Sequence, residues 1–229
     1  MQKYHYLLFD LDGTLTDPKI GITKCVAYAL ESFGIQVTDL DTLTCFIGPP
    51  LLDSFMEYYS FSEKEAAKAV EKYRERFSEI GILENSVYPG IEELLKELTD
   101  LGFQLILATS KPSVYAKQIL AFFHLESYFT FLSGSELDGR RTTKGEVIAY
   151  ALEKCSITDR SQVLMIGDRK HDILGAKENK IDSMGVLFGY GTKEELLLTG
   201  ADYIVESVEE MYNFFNSNKY KKRDKHIVF

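Results

Sequence analysis

The chain has 229 residues, 45% of them hydrophobic, with 26 basic against 35 acidic side chains and a net charge of -9. That length suits one core domain carrying a smaller insertion, and the apolar content argues against wholesale disorder. The acidic balance argues against a nucleic-acid polymer as partner, which would need a basic face, while leaving room for a small anionic substrate held by a local field.

Residues 4–9 form a short apolar run that reads as a buried strand and stops at the acidic turn Asp10-Leu11-Asp12-Gly13-Thr14. From Pro18 to Tyr88 the pattern is helical: 20–33, a short helix near Leu40, 51–59 and 62–80. In the last, Ala66, Val70, Tyr73 and Phe77 recur at helical spacing, and Ser62 with Glu65 resembles a capping box. Pro89-Gly90 marks a break, after which 91–101 places Leu94, Leu95, Leu98 and Leu101 on one stripe. Strands are expected at 104–108, 162–166, 183–188 and 201–205, with helices at 144–155, 172–179 and 208–215.

This alternation predicts an α/β fold, a Rossmann-like parallel sheet covered by helices on both faces. Its expected extent is residues 1–17 and 89–229, with an α-helical cap of 18–88 inserted after the first strand. Cys25, Cys45 and Cys155 are scattered and odd in number, so no disulfide framework is expected and a cytoplasmic setting is the natural reading. The first strand is too short for a signal peptide or membrane span. The basic tail 219–225 reads as a solvated end, with an anion-binding arm as the sharper alternative.

In such sheets ligands gather at the carboxyl ends of strands, where two acidic groups fall. Asp10 and Asp12 end the first strand; Asp168 and Asp172 follow a later one, in Gly167-Asp168-Arg169-Lys170-His171-Asp172. Close carboxylates repel unless a cation or a proton lies between them. An acidic turn or a helix cap by Asp172 would be the plain explanation. Two such groups at parallel strand ends suit Mg2+, which takes oxygen ligands and few carboxylates. The dispersed histidines offer no zinc site. A phosphate seat is expected from the hydroxyls of Thr109 and Ser110 ahead of Pro112 and a helix N-terminus, and from Lys144 at another helix start, with Lys111 and Arg141 as rivals.

The segment Phe9-Asp10-Leu11-Asp12-Gly13-Thr14-Leu15 resembles the first motif of the haloacid dehalogenase superfamily. Thr109 resembles the second, Lys144 the third, and Gly167-Asp168 with Asp172 the fourth, in family order over essentially the whole chain. The insertion point resembles the helical cap of subfamily I. Phe46-Ile47-Gly48-Pro49-Pro50-Leu51 and Thr109-Ser110-Lys111-Pro112 look like the phosphoglycolate phosphatase and 5′-nucleotidase-like branch.

The resemblance implies that Asp10 is the nucleophile, forming an aspartyl-phosphate, and Asp12 the acid and then the base. It implies Mg2+ held by Asp10, the backbone carbonyl of Asp12, and Asp168, with Asp172 in support, and phosphoryl oxygens bound by Thr109 and Lys144. An aspartate at position 12 points away from the superfamily's dehalogenases, because halide leaves without a proton. The expected activity is hydrolysis of a small phosphorylated metabolite, a nucleoside 5′-monophosphate or a 2-phosphoglycolate-like acid, by a monomer or homodimer. A sugar phosphomutase and a catalytically silent binding module are the alternatives.

Overall fold

A computed structural model describes residues 3–216 and 227–228; the basic stretch 219–225 lies outside the described residues. The chain divides into two compact units, Met1–Leu15 with Val87–Phe229, and Thr16–Ser86.

The chain opens with β1 (Tyr6–Phe9) and β2 (Thr16–Asp17), then runs through the helices α1 (Lys19–Glu31), α2 (Leu51–Tyr59) and α3 (Glu63–Arg76) to β3 (Ser86–Val87), which pairs with β2. There follow α4 (Ile91–Asp100), β4 (Gln104–Pro112), α5 (Ser113–Phe122), β5 (Phe129–Ser135), α6 (Lys144–Lys154) and β6 (Val163–Gly167). The remainder is α7 (Lys170–Glu178), β7 (Asp182–Val186), α8 (Lys193–Leu198), β8 (Tyr203–Val205), α9 (Val208–Asn216) and β9 (Ile227–Val228).

The large unit is a seven-stranded parallel sheet in the order β5-β4-β1-β6-β7-β8-β9. Its central strands are buried on both faces, as a parallel sheet between helical layers requires: Leu7 to Phe9, Leu105 to Ala108 and Val163 to Ile166 are all closed to solvent. α6 and α7 pack together on one face of the sheet with α8 against α7, while α4 packs with α9 and α5 lies against β4 and β5. On the first face Val147, Ile148, Ala151 and Leu152 of α6 and Ala176 of α7 pack on Leu8, Ile106, Val163 and Met165.

Strand order reverses around β1, whose connection leads towards β4, while β6 leads on to β7. The crevice between the carboxyl ends of β1 and β6 is therefore a topological switch point, where open α/β sheets bind ligands.

Three expectations are corrected in this unit. β5 was not expected: its apolar run is interrupted by Thr130, Ser133 and Gly134. β4 runs four residues past Ala108, through a register shift, so that Pro112 pairs with Ser135. Leu101 stands exposed at the end of α4, although Leu94, Leu95 and Leu98 are buried as a stripe.

In the helical unit the Ser62–Glu65 capping box is present in both directions and starts α3. Phe46 and Ile47 are buried, and Phe46 meets Phe55 at 4.9 Å between centroids in an aromatic core that includes Phe33 and Phe61. Tyr28 and Tyr58 are exposed. Arg76 is half-buried and donates to Glu84 Oε2 at 2.7 Å and Cys25 Sγ at 3.2 Å. Among the described residues no helix is long and apolar enough to cross a membrane.

Candidate active site

β1 pairs in register with both neighbours, Phe9 standing beside Leu107 of β4 and Ile166 of β6. The Asp10 N–H continues that ladder, donating to the Ile166 carbonyl at 2.9 Å. Asp10 thus emerges at the carboxyl edge of the sheet, one strand away from Asp168, which follows β6. Asp172 stands in the first turn of α7, where its Oδ2 accepts the Arg169 N–H at 3.0 Å. It therefore caps the helix and also joins the acidic group. One oxygen from each of Asp10, Asp168 and Asp172 lies within 4.8 Å of the other two, and all three residues are buried.

Two lysines enter the same space. Lys144 begins α6 behind a Thr143–Glu146 capping box, with 3% of its side chain exposed. Its Nζ donates to the Ala108 carbonyl at 3.0 Å and lies 2.7 Å from Asp10 Oδ1 and 2.9 Å from Asp172 Oδ1. Those last two contacts are ion pairs without hydrogen-bond alignment: Asp10 Oδ1 and Asp172 Oδ1, like Asp12 Oδ1, are buried with no hydrogen-bond partner. Lys111 donates to Asp12 Oδ2 at 2.6 Å.

The electrostatics follow from burial. Desolvation pushes the Asp172 carboxyl up to about 6 and holds Asp168 well above, and Asp12 above, the usual carboxylate range. Burial also disfavours a charged Lys144, but the Asp10 and Asp172 carboxylates outweigh it and hold the ammonium firmly protonated. With all groups ionised, four carboxylates face two ammoniums and two negative charges remain. Three buried carboxylate oxygens lacking hydrogen-bond partners, beside two uncompensated charges, fit a hard divalent cation with oxygen preference.

Glycines let these groups approach. Gly13 has φ +82°, and a Cβ there would collide with the Asp168 carboxylate. A Cβ on Gly189 would strike the Gly13 carbonyl and Asp168, while the next residue, Tyr190, donates its N–H to Asp168 Oδ2 at 2.7 Å.

The structure thus brings together Asp10, Asp12, Lys144, Asp168 and Asp172. Thr109 is buried at the same edge, its Oγ1 accepting the Lys111 N–H at 3.2 Å. Ser110 is half-buried one residue on, and its carbonyl accepts from the Ser135 hydroxyl at 2.7 Å. Arg141 lies apart, paired with Glu136 and stacked on the Tyr150 ring at 3.9 Å. Sequence reasoning did not assign Lys111 to Asp12, nor the Gly189-Tyr190-Gly191 turn to Asp168. Two glycines flanking a residue just past a strand were the signal for the latter.

Residues 7–186 match the profile of a family described as haloacid dehalogenase-like hydrolase. A 5′-nucleotidase of Pseudomonas aeruginosa is 49% identical over 194 residues, covering 85% of this chain and 87% of that protein. The tyrosine-protein kinase PtkA of Mycobacterium tuberculosis is 37% identical over 185 residues, 81% of this chain but 62% of that longer protein. Among solved structures, a predicted phosphatase from Clostridium acetobutylicum superposes with a TM-score of 0.90 at 53% identity, covering 92% of this chain and 97% of that one.

Proposed function

This chain belongs to the haloacid dehalogenase-like hydrolase family and is a phosphoric monoester hydrolase, and from that premise we propose that it hydrolyses a small phosphomonoester by way of an aspartyl-phosphate on Asp10. The observation that carries the reading is the convergence of Asp10, Asp168 and Asp172, buried, with Lys144 held between two of them.

In this mechanism Asp10 attacks phosphorus as the bond to the leaving oxygen breaks. Asp12 gives its proton to that oxygen, and burial raises its proton affinity, the direction that role needs. Asp12 then takes a proton from water as the water displaces Asp10 from phosphorus. Lys144 fixes the Asp10 rotamer and, with Thr109 and Ser110, offers donors to the phosphoryl oxygens. Asp10, Asp168 and Asp172, with the backbone carbonyl of Asp12, would hold Mg2+. When bound, Mg2+ offsets the repulsion between the Asp10 carboxylate and the phosphoryl group. The helical unit, inserted in the chain after β1, is assigned the choice of substrate.

A nucleoside 5′-monophosphate is the favoured substrate class, on the likeness to a relative named 5′-nucleotidase; a 2-phosphoglycolate-like acid is the alternative class. The test measures phosphate released from a metabolite panel with and without Mg2+, alongside the Asp10→Asn variant. Selective, magnesium-dependent release that Asp10→Asn abolishes is expected. Wild-type turnover by Asp10→Asn refutes the mechanism. Substrate consumed without phosphate released would indicate transfer to an acceptor other than water.

A further inference from the structure

We propose that Lys111 is a positioning residue: by binding one oxygen of Asp12 it fixes which carboxylate oxygen delivers the proton to the leaving group. The proposal rests on the reading of Asp12 as that acid.

Three observations carry it. First, Lys111 Nζ donates to Asp12 Oδ2 at 2.6 Å, and the two side chains are 6% and 11% exposed. An ammonium has three donors and no acceptor, so the oxygen it holds cannot carry a proton towards it. The proton therefore belongs on Oδ1, which is buried and without a hydrogen-bond partner. Second, Lys111 reaches this place because β4 continues past Ala108 through a register shift. Such a bulge re-aims the side chains beyond it.

Third, the extension that carries Lys111 is pinned. Ser135 Oγ donates to the Ser110 carbonyl at 2.7 Å, and Ser113 Oγ donates to the Ser135 carbonyl at 3.2 Å. A Cβ on Gly134 would stand 2.7 Å from the Lys111 carbonyl, so only glycine admits this approach. A doubly anchored backbone is what a group needs if it is to hold another in a productive rotamer.

In the step so arranged, the Asp10 oxygen forms a bond to phosphorus and the bond from phosphorus to the leaving oxygen breaks. The Asp12 Oδ1–H proton passes to that oxygen. In the second step water's oxygen bonds to phosphorus, its proton passes to Asp12, and the bond to Asp10 breaks.

The experiment compares kcat/KM, which reports the first chemical step, on two esters. A nucleoside 5′-monophosphate has a poor leaving group that requires the proton; 2,4-dinitrophenyl phosphate has one that does not. Lys111→Met should lose roughly 10- to 100-fold on the first and little on the second. Lys111→Arg, which keeps a charged donor, should recover part of the loss, and circular dichroism checks that both variants fold. In an Asp12→Ala background, assayed with the dinitrophenyl ester, adding Lys111→Met should change kcat/KM by less than about 2-fold, because the residue acts only through Asp12. An equal loss on both esters, or a loss that persists without Asp12, overturns the proposal and makes Lys111 a direct ligand of the substrate. Failure of the parent reading looks different: Asp12→Ala alone then keeps wild-type kcat/KM on the nucleoside 5′-monophosphate.

Discussion

Replacing Lys144 with methionine removes a charge but little volume, and the structure sets the scale of the result. Nζ lies 2.7 Å from Asp10 Oδ1 and 2.9 Å from Asp172 Oδ1. At an effective dielectric of about 20, each contact is worth about 6 kcal/mol of attraction, or about 12 kcal/mol together. Desolvation of the ammonium and the two carboxylates cancels most of that, and breaking a buried pair typically costs about 3–5 kcal/mol because the surviving charges lose their partner.

Metal-free Lys144→Met should therefore lose about 3–5 kcal/mol, and its Tm should fall by roughly 6–20 °C at 2–4 °C per kcal/mol for a chain of this size. The chain has no tryptophan, so urea unfolding is followed by circular dichroism. Mg2+ should stabilise the variant more than it stabilises the wild type, since it replaces part of the missing positive charge. A loss below about 1 kcal/mol in metal-free buffer, where breaking a buried pair should cost several, would refute the view that Lys144 neutralises this cluster.

Two further outcomes follow from the same cluster. Burial raises the Asp172 carboxyl from an ordinary 3.8 to about 6. Between those values the folded state binds the proton that the unfolded state releases, so metal-free stability should fall as pH rises through about 6. Asp172→Asn should flatten that slope and saturating Mg2+ should reverse it, both read from Tm at pH 5 and 7.5; an unchanged slope in Asp172→Asn removes Asp172 as its source. Gly13→Ala forces a side chain into a left-handed backbone and against Asp168. It should cost about 1–3 kcal/mol and raise the Mg2+ needed for half-maximal activity; wild-type metal dependence would show that Gly13 does not shape the site.

The features legible in the sequence are those set by neighbours in the chain. The apolar runs of β1 and β6, the Ser62–Glu65 cap and the buried stripe Leu94, Leu95 and Leu98 obey short-range rules of period and capping. So do the acidic turns at Asp10 and Asp168, which stop apolar strands abruptly. Family motifs added an order to these turns that periodicity alone lacks. β5 escaped because its polar and glycine positions are acceptable only beside β4, and the extension of β4 escaped because a proline ordinarily ends a strand. The burial of Arg76 was not legible locally, because Glu84 and Cys25, its partners, stand eight and fifty-one residues away.

The choice between Lys111 and Lys144 was likewise beyond reach of the chain's local grammar. Both are lysines near strand or helix ends, and only the register of β4, β1 and β6 assigns one to Asp12 and the other to Asp10 and Asp172. The sequence by itself decided which groups reach the carboxyl edge of the sheet, because strand period and turn chemistry act over a few residues. Tertiary structure alone decided which charges meet there and how far burial shifts them, because both depend on side chains from separate strands and helices, Asp12 and Lys111 standing 99 residues apart, sharing one desolvated space.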